Sequence, residues 1–222
     1  MKMPGLLPFL AWCLAAFLAG SIPFGLLLVK LAGKGDVRQQ GSGNIGATNV
    51  LRSGGKLLGV ATLALDVAKG LLPVLLAKQA HMPPEALSVL GLAAVAGHMY
   101  CPWLRFEGGK GVATALGVIL AYHPAMAVPS LGAFLVLVLA FRFVSLGSIV
   151  AALALIPASM GLFGSWACLP YLNPELARYG ILAWIILALL VVRKHAGNLA
   201  RLLNGTEHKL WGTSARKEDP HA

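Results

Sequence analysis

Seven apolar blocks run through this chain, at 8–29, 57–77, 86–101, 112–121, 124–141, 146–162 and 179–192, separated by polar or glycine-rich stretches. A membrane-spanning helix needs about 20 mostly apolar residues, and about 17 suffice. Six blocks are read as spans on that basis. The block 112–121 is too short to cross ~30 Å of hydrocarbon unaided at ~1.5 Å per residue. It either starts inside the membrane as a short helix or continues through His123-Pro124. The first block has some look of a secretory signal, with Lys2 before it and Ala19-Gly20 after its apolar core. Its run exceeds the ~7–15 residues of a signal's apolar region, so a retained helix is expected.

Composition supports the same picture. Of 222 residues, 58% are hydrophobic and only 12% charged, and the mean hydropathy is +0.77. Soluble domains carry about 25% charged residues. The charges are lopsided, 18 Lys+Arg against 8 Asp+Glu, for a net +10. Lys30, Lys34, Arg38, Arg52 and Lys56 fall between the first two blocks, and Arg193, Lys194, Arg201, Lys209, Arg216 and Lys217 after the last. The positive-inside rule puts both groups in the cytoplasm. Only an odd number of crossings allows that, so seven are expected. The N-terminus is then outside and the C-terminus cytoplasmic, with Arg105, Lys110 and Arg142 at cytoplasmic ends and the loops 78–85 and 163–178 external. The expected fold is an all-α integral membrane protein of seven transmembrane helices. One domain covers 1–211, and a short polar cytoplasmic tail covers 212–222.

The positive excess points to anionic headgroups or anionic substrates, since no aromatic-rich basic stripe marks a nucleic-acid surface. Cys13, Cys101 and Cys168 are far apart and form no C-x-x-C, which argues against a disulfide framework and a zinc site. With only Asp36, Asp66 and Asp219 present, an Asp-rich metal site is not expected either.

The stretch Gly41-Ser42-Gly43-Asn44-Ile45-Gly46 matches the dinucleotide spacing G-x-G-x-x-G. That fingerprint works only where a buried strand enters the turn, a helix leaves it, and an acidic residue follows about 20 positions on. Here polar residues 34–40 precede it and glycines break the chain again at Gly54-Gly55. The dinucleotide reading fails on context. Its physics survives, because close-spaced glycines let backbone N–H groups approach an anion. Ser42, Gly43, Asn44, Thr48 and Asn49 supply neutral donors, and Arg52 suits bidentate phosphate contact. A plain flexible polar loop is the alternative. In a second loop, Gly108, Gly109 and Gly111 frame Lys110 at the start of block 112–121, where a helix N-terminus favours anions. Gly111 follows that lysine, so the Walker pattern is not met. After the last block, His195 and Asn198 stand three apart, on one face of any helix there.

Five stretches in order resemble the bacterial membrane glycerol-3-phosphate acyltransferases that use acyl phosphate as donor. They are Gly20-Ser-Ile-Pro-Phe-Gly25, Gly41-Ser-Gly-Asn-Ile-Gly-Ala-Thr-Asn49, Leu65-Asp-Val-Ala-Lys-Gly70, Gly108-Gly-Lys-Gly-Val-Ala-Thr114 and the tail from His195. The resemblance covers about residues 10–207. One departure stands out: the family tail reads His-Arg-Glu-Asn-Ile, and this one reads His195-Ala196-Gly197-Asn198-Leu199.

The resemblance implies transfer of a fatty acyl group from acyl phosphate to the 1-hydroxyl of glycerol 3-phosphate, giving lysophosphatidate and phosphate. It also implies seven helices, an active site at the cytoplasmic face of the bacterial inner membrane, and membrane lipids as neighbours. No cofactor, metal, nucleic acid or obligate protein partner is expected. By resemblance, Ser42, Thr48 and Arg52 grip one phosphate. Lys110, its flanking glycine amides, His195 and Asn198 grip the other, and Ser148 lies near the site with Ser145 as alternate. Both serines also read as helix-start residues. The catalytic set is then Lys110, His195, Asn198 and Ser148.

No general base of the His-x4-Asp kind exists, since Trp103 stands five after His98 and Ala200 five after His195. Asp66 and Lys69, three apart in an apolar block, read as an internal ion pair. Catalysis is therefore expected from positioning and electrostatics, with a substrate phosphate oxygen taking the hydroxyl proton. An anion transporter would also want basic, glycine-rich loops, but predicts internal repeats, and none is visible.

Overall fold

The computed structural model describes residues 4–159 and 174–211. Most of the loop expected at 163–178, with Cys168, and the tail from Gly212 lie outside them. Among the described residues every regular element is helical. In chain order these are α1 (Leu6–Ser21), α2 (Phe24–Leu31), α3 (Ala47–Ser53), α4 (Lys56–Gln79), α5 (Pro84–Met99), α6 (Val112–Tyr122), α7 (Pro124–Phe141), α8 (Val144–Ser159), α9 (Pro174–Lys194) and α10 (Ala196–Leu203).

Each of the seven apolar blocks carries a helix. By length and hydropathy, Leu6–Leu31, Lys56–Gln79, Pro84–Leu104 and Pro124–Phe141 suffice to cross a bilayer. Ile181–Lys194 and Ala196–Leu203, bent by 58° at His195, together make a fifth such segment. Val112–Tyr122 and Val144–Pro157 are shorter apolar helices.

The first block departs from the continuous helix expected. It breaks at Ile22, whose backbone is extended (φ −61°, ψ 117°), and restarts as α2. Proline at 23 disfavours helical geometry in the residue before it, so the break is written locally. Pro73 and Pro129, by contrast, lie inside α4 and α7 without ending them. Neighbouring helices let long apolar helices tolerate proline.

Small residues bring the helices together. A methyl group at Gly20 or Gly97 would collide with the backbone of α5 or α1 respectively, and one at Gly70 or Gly117 with that of α6 or α4. Such close backbone approach is how helices associate when apolar burial gives no advantage over lipid. The main core between them includes Leu90, Met99, Val118, Trp184 and Leu187. A smaller core of Leu26, Val29, Val37, Ile45 and Val50 seats the 32–46 loop. Outward-facing Leu7, Leu57, Val136, Leu139 and Leu189 are largely exposed, as suits a surface meeting acyl chains.

One packing detail positions the site. Lys78, near the end of α4, donates to the carbonyls of Ala121 and Tyr122 at the end of α6 (both 3.2 Å). Gly70 of α4 packs on Thr114 of α6, so the two helices run side by side in the same direction. α6 has 11 residues and α4 has 24, so α6 starts beside the middle of α4. The Lys110 loop is therefore recessed roughly 15 Å below the start of α4, at ~1.5 Å per residue.

Candidate active site

The loop before α3 is organised by one side chain. Asn49 Oδ1 accepts from the Ser42 amide (2.8 Å), and its Nδ2 lies 2.8–3.0 Å from the carbonyls of Val37, Gln40 and Asn44. Asn49 is 2% exposed, and its amide is committed to the loop. Asn44 Oδ1 accepts from the Gly46 amide (2.9 Å), which shapes the turn into α3. Gly41 and Gly43 take positive φ, 56° and 71°; a side chain at Gly41 would strike Asn49. What the loop offers outward is Ser42 and the first turn of α3 with Thr48, while Arg52 lies one turn on. Arg52 Nη2 also reaches the carbonyls of His208 and Lys209 (3.3 Å each).

In the second loop, the Gly108 amide donates to the Met99 carbonyl (3.2 Å) and the Gly109 amide to that of His98 (3.0 Å). Gly111, at φ 79°, caps α6. The half-buried Lys110 reaches across to donate a short hydrogen bond to Asn198 Oδ1.

The tail closes the circle. His195 ends α9 and caps α10, while Asn198 sits in the first turn of α10; both are buried. Asn198 Nδ2 donates to Glu207 Oε1 (2.7 Å), which also accepts from Ser145 Oγ (2.9 Å). Glu207 Oε2 accepts from Arg201 Nε (2.8 Å). This hub orients the Asn198 amide with its oxygen toward Lys110, leaving two of the three ammonium hydrogens for a ligand. Ser148 donates back to the Val144 carbonyl (2.8 Å). His195 Nδ1 lies 2.8 Å from the Val191 carbonyl. Donation there fixes the tautomer, so neutral His195 presents Nε2 as an acceptor. Ala196 and Gly197, where the family motif has Arg-Glu, lie on the exposed face of α10.

Ser42, Asn44, Thr48, Asn49, Arg52, Lys110, Gly111, Ser145, Ser148, His195 and Asn198 all line one cavity of about 640 Å³. Its volume falls in the range of small-molecule sites. From the polar end an apolar arm runs between α6, α7, α8 and α9, past Ile119, Phe134, Val138, Ala152, Leu155 and Leu187. Charge at the polar end is set by pairing. Glu207 faces Arg201, and Asp66 faces Lys69 at 2.7 Å. Among the described residues, that leaves Lys110 and Arg52 as lining cations without a salt-bridged carboxylate. Burial works to raise the Glu207 carboxyl, but hydrogen bonds from Asn198, Ser145 and Arg201 outweigh it and hold it below its ordinary value. Burial pushes the Lys110 ammonium down to about 8, opposed by Glu207 and assisted by Arg201 and Arg52.

Several of the expected anion donors, Asn49 among them, make contacts within the chain instead. Gly43, Gly108 and Gly109 do not line the cavity, and their amides are spent on the carbonyls of Gln40, Met99 and His98; they build the loops rather than donate to an anion. Neutral His195 accepts through Nε2, which suits a hydroxyl better than a phosphate oxygen. Sequence reasoning missed Glu207 as the centre of the tail network. Its signal was faint, a single glutamate nine residues after Asn198 with no helical period linking them.

A family profile described as glycerol-3-phosphate acyltransferase matches residues 10–205. The glycerol-3-phosphate acyltransferase of Trichlorobacter lovleyi is 47% identical over 201 residues, covering 90% of this chain and 96% of that one. That of Geobacter sulfurreducens is 42% identical over 196 residues, covering 87% and 93%. The crystal structure of PlsY (YgiH), an integral membrane glycerol 3-phosphate acyltransferase, in its glycerol 3-phosphate form superposes with a TM-score of 0.80 at 40% identity, covering 93% of this chain and 96% of that one. Its lysophosphatidic acid form gives 0.78 over the same shares. With apolar helices throughout and this match over nearly its whole length, the chain is a multi-pass membrane acyltransferase and belongs to the glycerol-3-phosphate acyltransferase family.

Proposed function

We propose that the protein transfers a fatty acyl group from acyl phosphate to the 1-hydroxyl of glycerol 3-phosphate, releasing lysophosphatidate and phosphate. One observation carries the reading: Arg52 and Lys110, two cations that make no salt bridge among the described residues, line the polar end of a cavity whose other arm is apolar. That combination matches two phosphoryl groups and one acyl chain. The relatives are named for glycerol 3-phosphate, and the solved forms of PlsY hold that substrate and a lysophosphatidic acid.

In this scheme Ser42, Thr48 and Arg52 hold one phosphate, and Lys110, with the N-terminus of α6 at Gly111, holds the other. Asn198 orients Lys110 and is itself oriented by Glu207. Ser145 supports that hub, and Ser148 lies one helical turn away on the same face. His195 Nε2 aims the attacking hydroxyl. That hydroxyl oxygen attacks the acyl carbon, and the bond from this carbon to the phosphate oxygen breaks. The hydroxyl proton passes to the departing phosphate, so an acyl phosphate dianion and an alcohol give an ester and hydrogen phosphate. Two like-charged phosphates repel strongly in a recessed site, and the cations offset that repulsion. Because acyl phosphate is already activated, orientation supplies much of the rest, up to roughly 7–11 kcal/mol for well-placed reactants. Lys110 stabilises the charge that develops on the leaving phosphate.

Residues 1–211 form one acyltransferase domain with seven crossings, the N-terminus outside and the site at the cytoplasmic face of the inner membrane. The basic 30–56 and 193–217 stretches support that orientation. Purified protein supplied with acyl phosphate and radiolabelled glycerol 3-phosphate should form lysophosphatidate, with acyl-CoA as control donor. Product from acyl-CoA but none from acyl phosphate would overturn the donor assignment.

A further inference from the structure

Three ionisable side chains lie buried together beneath the site, and the reaction outlined above uses none of them. Lys69 Nζ is 2.7 Å from Asp66 Oδ1, which is 3.8 Å from His98 Nδ1. None of the three is more than 5% exposed. Lys69 also donates to the Ile22 carbonyl (2.7 Å), at the break between α1 and α2. Burying ionisable groups is costly unless each is fully paired and hydrogen-bonded. Here His98 Nδ1 has no hydrogen-bond partner among the described residues, so stability alone is a poor account of the row.

The far end of the row meets the glycine loop. The His98 carbonyl accepts from the Gly109 amide. The ring itself lies so close to Gly109 that a methyl group there would collide with Nε2. Lys110 is the next residue. The imidazole is thus wedged, with Nδ1 toward Asp66 and Nε2 against Gly109, and its position sets where Lys110 leaves the loop. The turn after α5 is tied down as well: Trp103 Nε1 donates to Ser21 Oγ (2.8 Å) and Cys101 Sγ to the Ser21 carbonyl (3.0 Å). Both Asp66 and His98 also border the cavity that Lys110 enters.

We propose that Lys69, Asp66 and His98 are positioning residues, a rigid buried row from the Ile22 carbonyl to Gly109 that holds Lys110 where its ammonium reaches both Asn198 and a substrate phosphate. The inference rests on the reading of Lys110 as a phosphate-binding residue. A shift of about 1 Å in a positioning group costs on the order of 10²-fold in rate.

The test is a double-mutant cycle of His98→Ala and Gly109→Ala. Each single variant should lower kcat/KM on the order of 10²-fold. Truncating His98 makes the room that a methyl at 109 needs, so the double variant should be no worse than His98→Ala alone, whereas independent effects multiply. With the Lys110 ammonium pushed down to about 8 by burial, kcat/KM should fall above that pH, and this fall should shift in His98→Ala; His98→Asn, which keeps an amide facing Asp66, should recover part of the loss. Calorimetric binding of inorganic phosphate to the same set separates this inference from the reading it rests on. If the wild type makes no product from acyl phosphate, the enzymatic reading fails, while weaker phosphate binding in His98→Ala still supports the row. Should His98→Ala not purify folded, judged by thermal unfolding in detergent, His98→Asn replaces it in the cycle. Losses that multiply overturn the proposal, as do unchanged kcat/KM and phosphate affinity in the His98 variant.

Discussion

Raising the pH should strip this enzyme of its grip on one substrate before it touches turnover. Burial, with Arg201 and Arg52 nearby, brings the Lys110 ammonium down to about 8 despite the opposing Glu207 carboxylate. In the proposed scheme the charged form binds phosphate, and it disappears as pH rises through that value. By pH ~9 about nine-tenths of the unoccupied protein has lost it. Occupancy reverses the effect. A unit negative charge about 4 Å away at an effective dielectric near 20 favours the ammonium by about 4 kcal/mol, equivalent to roughly 3 pH units. The bound lysine then stays charged to about pH 11. So kcat/KM should fall about tenfold per pH unit above ~8, while kcat stays level to about pH 10, because kcat/KM reports the free enzyme. Lys110→Arg keeps its charge throughout and should flatten the profile, at lower overall activity. Initial rates in detergent, titrating each substrate in turn, check this, and the substrate whose kcat/KM bends is the one whose phosphate meets Lys110. A bend near pH 8 that persists in Lys110→Arg, or a kcat that falls in parallel, would refute the reasoning.

Glu207→Gln cannot accept from Ser145, Asn198 and Arg201 together as the carboxylate does. It should cost about 1.5–3 kcal/mol, the worth of one charged hydrogen bond, seen as a lower unfolding midpoint in detergent. It should also move the Lys110 bend to lower pH, since Glu207 supports that charge. Arg52→Ala removes the phosphate contact proposed for Arg52 and should raise KM for one substrate about 10–100-fold with kcat largely kept; an unchanged KM would take Arg52 out of the site. Ala152→Phe fills the apolar arm and should select against long acyl chains, by about fourfold for each methylene displaced at ~0.8 kcal/mol. Rates with a series of acyl phosphates measure it, and equal losses for short and long chains would place the chain elsewhere.

Hydropathy alone located a helix in every apolar block, because in this setting length and apolar content are local properties that need no partner. It missed the interruption of the first block, although Pro23 carried the signal, since an apolar count is blind to backbone geometry. The three glycine- and asparagine-bearing stretches were also legible, and they do line one cavity. Their individual roles were not. Asn49 and the glycines at 43, 108 and 109 look like anion donors in a linear motif, yet their hydrogen bonds go to the chain itself.

The membrane setting, the helical class and the segments that meet at the site are all legible in the order of residues, because they follow from composition, spacing and local backbone preference. The remaining features arise from packing between distant segments. The depth of Lys110 depends on where α6 ends against Lys78. The orientation of Asn198 depends on Glu207, and the seat of Gly109 depends on His98, Asp66 and Lys69 arriving from α5 and α4. The physical reason is that a hydrogen bond or a steric wedge between distant segments exists only once backbone packing has set the separation of the helices that carry them.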